Sequence, residues 1–464
     1  MRSYICGCVW ACWVHLICAR VLALQTSSIQ DAWQLLHSAT SLPTGSNKQP
    51  AIRYSHLAAV YKDEMIISHG YFYDAENHKP RWLSDSWAMG LDAPHKWRQL
   101  SPHLDRQDAL QAYGSKLTPS APCGRYGSTG VIKDDNLFLF GGTDGGFHLH
   151  GRDGFEQGHD YDELWVLDLK TSKWQLLGRG ATSKQPWPAP RHLHGAVVVR
   201  NQMLIHGGVG SGFGDVWAWD IGRKSWKQLF NPESQHGRSP GSMFAAGYIP
   251  IDCPNKQGFL LYGGRPDAGG HEELSADVWY FDLIKTRWTK LRPTQDSGPQ
   301  PSGRFYMGLA ALNAGVQACS ADLVASKDPF ERIDGPLAFT AGASVHTPTM
   351  ECTDETWSLS WDLEHRIVRW AAQKPLPFGY YHNTLVARND TVYSFGGHLC
   401  GDTQGQLPHR YLNTVQSFTV KPPATKTNLK SLAGAGKASS SDKPHPGLHL
   451  AGAGSFDREL KSLS

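Results

Sequence analysis

The sequence predicts an all-β chain made of six repeats of four short strands. Three observations carry that expectation: an apolar run ending in Gly-Gly, an acid-x-Trp tripeptide after it, and a second Trp beyond that. The clearest copies are Leu137 to Gly142 with Glu163-Leu-Trp165 and Trp174, Met203 to Gly208 with Asp215-Val-Trp217 and Trp226, and Phe259 to Gly264 with Asp277-Val-Trp279 and Trp288. In all three the last Trp lies six residues after the Asp (Asp168, Asp220 or Asp282) that closes the acid-x-Trp run.

Each unit opens on a basic turn, at Arg53, Arg125, Arg191, Arg238 and Arg304. It then reads as strand a after the Arg, strand b ending in Gly-Gly, strand c holding acid-x-Trp, and strand d holding Trp-x-x-Leu. Strand b is apolar without alternation, the pattern of a strand covered on both faces, so its neighbours are the adjacent units. Gly-Gly fits a strand end where φ turns positive and another backbone comes close.

Degenerate copies extend the series. Met65 to Gly70 is followed by Asp85-Ser-Trp87 and Trp97, Leu337 to Gly342 by Glu355-Thr-Trp357 and Trp370, and Val392 to Gly397 by Asn413-Thr-Val415. Successive second glycines are 72, 66, 56, 78 and 55 residues apart, so the units carry inserted loops. The sixth unit has no strand d of its own. Asp31 to Leu36 supplies it, because Trp33-Gln-Leu-Leu repeats Trp174-Gln-Leu-Leu residue for residue. An N-terminal strand there closes the ring and removes its open edge.

Over residues 31–420 these elements resemble the kelch family, whose signature is the Gly-Gly, acid-x-Trp and Trp-x-x-Leu series quoted above. The resemblance implies a six-bladed β-propeller, with four-stranded blades around a central channel.

The ends of the chain differ from this body. Residues 1–23 read as a secretory signal, with Arg2 before the mostly apolar stretch Ile5 to Ala19 and Val21-Leu22-Ala23 as a small-residue cleavage site. An uncleaved membrane anchor is the rival reading, and no later segment is apolar enough to span a bilayer. Residues 24–420 form the propeller. Residues 421–464 turn rich in Ala, Gly, Ser, Lys and Pro and repeat Leu-Ala-Gly-Ala-Gly, a composition expected to form a disordered basic tail. The formal charge of +3 gives no reason to expect a nucleic-acid partner.

Without the signal, five cysteines remain. Cys253 and Cys319 fall in a-to-b loops of adjacent units, and Cys352 and Cys400 in b-to-c loops of adjacent units. Two inter-blade disulfides, 253 with 319 and 352 with 400, are expected in an oxidising compartment, with Cys123 free. Asn389-Asp390-Thr391 is a glycosylation sequon.

Antiparallel strands send the d-to-a and b-to-c loops to one face. These are the longer loops, so that face is expected to bind. The candidate ligand-binding residues are Arg53, Arg125, Arg191, Arg238 and Arg304 near the channel mouth, and Trp82 and Trp187, which lie in loops of that face. A competing reading pairs each arginine with the acid that opens strand c: Asp85, Glu163, Asp215, Asp277 and Glu355. Blade 6 favours pairing, since Gly379 and Asn413 replace both partners together.

Three residues beyond the arginines stand His56, Ser128, His194, Gly241, Met307 and His382, read as structural rather than as metal ligands. The blade 2 loop with His148, His150, Asp153, Glu156, His159, Asp160 and Asp162 matches no EF-hand or zinc spacing and is read as a polar surface loop.

The function expected is a secreted or lumenal binding module for a protein or glycan, with no cofactor, no nucleic acid and no catalytic residue assigned. The alternatives are a carbohydrate-active enzyme, galactose oxidase-like or mutarotase-like, and a cytoplasmic kelch adaptor. Neither the cysteine-linked tyrosine of the copper oxidases nor the Glu-x-x-x-Asp-x-x-x-His iron motif of kelch-type specifier proteins can be placed in the chain.

Overall fold

The computed structural model describes residues 33–37, 49–74, 79–104, 120–145, 159–210, 214–234, 238–266, 273–294, 298–312, 338–344, 352–399 and 410–420. Residues 1–32, which include the expected signal, the C-terminal segment 421–464, Cys319, Cys400 and the histidines His148 and His150 lie outside them.

Six sheets form the blades, each with four antiparallel strands, and the blade 5 sheet adds a short fifth strand, Arg292–Pro293, parallel to Ile367–Ala372. Blade 2 is representative: strand a is Thr129–Lys133, b Asn136–Phe140, c Leu164–Asp168 and d Lys173–Gly178. Its register places Leu137 opposite both Ile132 and Leu167. In blade 6, Thr384–Arg388, Thr391–Phe395 and Val415–Thr419 are completed by Gln34–His37 from the N-terminal end. Gln34 pairs with Ser417 and Leu35 with Gln416, so the N-terminal strand closes the ring. The fold is the six-bladed β-propeller expected. Among the described residues its only helical element is the 3₁₀ turn Gly180–Thr182.

The core is divided among the joints between blades. Six apolar clusters occupy the six seams, one to each. Strand b explains its own composition: Met65 and Ile67 pack toward blade 6 while Ile66 packs toward blade 2, so all three are buried. Each strand d Trp faces the preceding blade. Trp174 of blade 2 joins the cluster shared with blade 1, and Trp33 joins the cluster shared with blade 5. Trp33 thus occupies in blade 6 the place its sequence match to Trp174 predicts.

The last Asp of strand c is a turn former. Asp168 accepts from the backbone N–H groups of Lys170 and Thr171, and Asp220, Asp282 and Asp362 do the same in their own c-to-d turns. These Asx turns satisfy backbone donors where the strands end.

Candidate functional site

The channel mouth is built by the segment that enters strand a. In all six blades one residue there has positive φ: Ser55, Gly127, Leu193, Ala245, Tyr306 and His382, at 48, 64, 55, 52, 56 and 56°. Their backbones form a closed ring. Gly127 N–H donates to the Ser55 carbonyl, Leu193 to Gly127, Ala245 to Leu193, Tyr306 to Ala245, His382 to Tyr306, and Ser55 back to His382, at 2.7 to 3.3 Å. Left-handed conformations in non-glycine residues carry strain, and here the ring uses both the N–H and the C=O of each residue.

This ring sets the register of the basic turn. Counting back two residues gives Arg53, Arg125, Arg191, Met243, Arg304 and Tyr380. The blade 4 position is therefore Met243, not Arg238, and the blade 6 position is Tyr380, not Gly379. The residues three beyond are His56, Ser128, His194, Ala246, Met307 and Asn383, so Gly241 and His382 do not belong to that set.

Arg53, Arg125, Arg191 and Arg304 are at most 1% exposed. Each bolts three segments together. Arg191 binds Asp215 through both terminal nitrogens at 2.8 and 3.0 Å, the Gly207 carbonyl at 3.3 Å and the Ala189 carbonyl at 3.2 Å. The acid is shared with the strand c tryptophan: Trp217 Nε1 donates to Asp215 at 2.6 Å, and Trp87, Trp165 and Trp357 donate in the same way to Asp85, Glu163 and Glu355. That is the physical reason for acid-x-Trp. Burial alone would raise the Asp85 carboxyl, but Arg53 and Trp87 hold it below its ordinary range.

As ligand-binding residues these four arginines are corrected to scaffold, because their donors are spent inside the blade and no surface remains to meet a ligand. Arg238 is exposed and, among the described residues, makes no ion pair. Its expected partner Asp277 bonds Lys290 at 2.6 Å.

Gly141 and Gly142 show why strand b ends as it does. A Cβ on Gly142, at φ 95°, would sit 2.9 Å from the Ser128 Cβ of its own blade. One on Gly141, at φ 68°, would sit 2.5 Å from the Arg191 carbonyl and 2.9 Å from the His194 ring of the next blade. The residue three beyond the arginine is thus a wedge between blades. His194 and His56 are buried wedges that bond Thr129 and Thr384 across their seams at 2.6 and 2.7 Å. Both are structural, with a threonine hydroxyl as partner. Among the described residues no cluster of three or more His, Cys, Asp or Glu forms a metal site.

The residue one beyond the arginine position is aromatic in every blade: Tyr54, Tyr126, His192, Phe244, Phe305 and Tyr381. Backbone pairing joins it to the residue that follows Gly-Gly, as in Tyr54 with Tyr71, Tyr126 with Thr143, His192 with Val209, and Tyr381 with His398. The rings make a belt around the mouth. Tyr71 contacts Tyr54 and Tyr126 at 5.2 and 5.7 Å, Phe244 contacts Phe305 at 6.1 Å, and His398 lies 5.1 Å from Tyr381 and 6.2 Å from Tyr54. Tyr54, Tyr381 and His398 are only half-buried, so the belt is most accessible where blade 6 meets blade 1.

This belt was legible in the sequence. Arg-Tyr, Arg-Tyr, Arg-His and Arg-Phe recur at the true basic turns, but placing blade 4 at Arg238 hides the series.

Trp82 belongs to the same face. It sits on a hairpin inserted after strand b of blade 1, paired with Tyr71 and 6.0 Å from its ring, and is half-buried. Trp187 serves the scaffold: its N–H donates to the Asp162 carbonyl at 2.7 Å, and its ring covers Gly178 and meets Trp219 and Trp226.

Cys123 is free and buried, with its thiol 3.0 Å from the Tyr161 hydroxyl. The expected disulfide partners of Cys253 and Cys352, Cys319 and Cys400, lie outside the described residues. Asn389 is exposed in the a-to-b turn of blade 6, on the face away from the mouth.

Six four-stranded blades, an Arg–acid–Trp bolt in four of them and a Gly-Gly crossing between them define a kelch-type β-propeller. The sequence comparisons likewise match kelch-repeat proteins. Residues 107–317 match the family model described as the KLHDC2/KLHL20/DRC7 Kelch-repeats domain.

Curated relatives include the F-box/kelch-repeat protein At1g51550 of Arabidopsis thaliana, 24% identical over 53% of this chain and 46% of that protein. Kelch domain-containing protein 10 of Homo sapiens is 27% identical over 41% of this chain and 40% of that protein. The match thus spans less than half the length of these relatives. Among solved structures, one titled "Structure of YjhT" superimposes with a TM-score of 0.50 at 14% identity, covering 80% of this chain and 95% of that one, and bears on the fold alone.

Proposed function

We propose that this kelch propeller is a protein-binding module that takes its partner at the aromatic mouth. The observation that carries the reading is an aromatic repeat position around a backbone ring that fixes it, buried at Tyr126, Phe244 and Phe305 but half-buried and open to a partner at Tyr54, His192 and Tyr381. Tyrosine and histidine offer wide contact area with few rotamers to freeze, the property that enriches aromatic residues in binding hot spots. Phe378, 43% exposed in the connection entering blade 6, adds an apolar anchor beside the accessible sector. Buried arginines and a rigid seam-by-seam core supply the scaffold on which such a site stays fixed.

The leader-like segment supports a secreted or lumenal location, and in that compartment the proposed pairs 253 with 319 and 352 with 400 would persist. N-terminal sequencing of the expressed protein and peptide mapping without reduction test these two points. The binding face is tested by a photocrosslinking residue at Tyr381 and another at Lys170 on the opposite face. Adducts from the Tyr381 position alone support the reading, and adducts from Lys170 alone overturn it.

A further inference from the structure

Imidazoles are distributed unevenly among the seams. Between blades 6 and 1, two buried histidines bond across the joint: His56 of blade 1 to Thr384 of blade 6 at 2.7 Å, and His382 of blade 6 to the Ser55 hydroxyl of blade 1. The seams of blades 1 and 2, 2 and 3, and 3 and 4 each hold one, namely His69 against Trp174, His194 on Thr129, and His206 on Tyr248. At the seams of blades 4 and 5 and of 5 and 6, the wedges are Met307 and Asn383.

Few charges face the paired imidazoles. Arg53, already matched by Asp85, lies near His56, and His398 and His56 face His382. The rings around His382 are those of Tyr306, Tyr54 and Tyr381. No carboxylate is among the groups that shift either histidine. Burial, then Arg53 beside His56 and the imidazoles of His398 and His56 beside His382, holds both well below their ordinary range, so both are neutral in the closed ring.

On the opposite face the same seam is tied by Arg388 of blade 6, which binds Asp63 at 3.0 Å and grips Asp92 of blade 1. The Asp92 carboxyl, lowered by its bond to Arg388, keeps its charge in mild acid.

We propose that the seam between blades 6 and 1 is an acid-sensitive latch, in which protonation of His56 and His382 frees the mouth side of the joint before any other seam of the ring. The Arg388 clamp remains as the hinge. The site of opening is the most accessible sector of the aromatic belt, so the latch would also reshape the mouth, although its test needs no partner.

Hydrogen exchange of the full chain between pH 7.5 and 5, corrected for the intrinsic rate, reads the latch directly. Each imidazole that takes a proton only on opening shifts the opening equilibrium about tenfold per pH unit below its free value of 6.5. Protection of strands a and b of blade 6 is therefore expected to fall up to about a hundredfold per pH unit. It should fall about tenfold at the seam of blades 2 and 3, and stay flat at the seam of blades 4 and 5. In the pair of substitutions His56→Gln and His382→Gln the blade 6 slope flattens. Equal slopes at all seams, or no slope at blade 6, overturn the proposal. The comparison among wild-type seams decides the matter even if the double variant does not fold.

Discussion

Asp277 bonds Lys290 at 2.6 Å instead of an arginine, because Met243 stands where Arg191 stands one blade earlier. Where the guanidinium is missing, the acid turns outward to a half-exposed lysine. Blade 4 thus keeps the acid without the guanidinium, whereas blade 6 replaces both, by Tyr380 and Asn413.

Arg191→Met is expected to destabilise the fold by about 3–5 kcal/mol, because it leaves Asp215 buried without its partner. Adding Asp215→Asn should recover part of that loss. Arg238→Ala should stay within about 0.5 kcal/mol of wild type, as an exposed side chain without partners does. Chemical denaturation of the four proteins measures all of this.

Gly142→Ala tests the crossing at the strand end. The new Cβ meets the Ser128 Cβ at 2.9 Å in a backbone of positive φ, and the expected cost is about 1–3 kcal/mol. An unchanged melting midpoint would contradict the account of Gly-Gly.

Trp187→Ala should cost about 2–3 kcal/mol, somewhat below the figure for a fully buried Trp, since it uncovers Gly178 and frees the Asp162 carbonyl. Binding of the partner, measured on the folded fraction, should be unchanged.

Global stability should depend on pH with a definite sign. His56, His69, His194, His206 and His382 are all held below 6.5 by burial, His206 to about 3. The unfolded chain binds protons near 6.5 and the folded chain does not. Stability should therefore be complete above that pH and fall as the pH drops through about 6 and below. Denaturation midpoints at pH 7.5, 6.5 and 5.5 check it, and a rise toward acid would contradict it.

The repeat was readable wherever a chemically forced pair recurs. Gly-Gly, acid-x-Trp and the Trp33 strand each mark a contact that few residues satisfy, and each led to the right blade. The register failed at Arg238 and Gly379, where no arginine marks the turn and the position is held by Met243 and Tyr380. What fixes those two positions is the left-handed backbone of Ala245 and His382, and neither residue type announces that conformation. Arg53, Arg125, Arg191 and Arg304 attracted a ligand reading because charge near a channel looks available, whereas burial is a property of packing that the sequence does not display.

The partner-binding mouth is tested most directly by the affinity of Tyr54→Ala/Tyr381→Ala for a partner identified by crosslinking, beside Lys170→Ala as the opposite-face control. The mouth variant should raise Kd by about 30-fold or more, the ~2 kcal/mol of a hot spot, measured on the folded fraction. Lys170→Ala should change it by about twofold or less. A mouth variant that binds like wild type, or a larger loss from Lys170→Ala, would contradict the account.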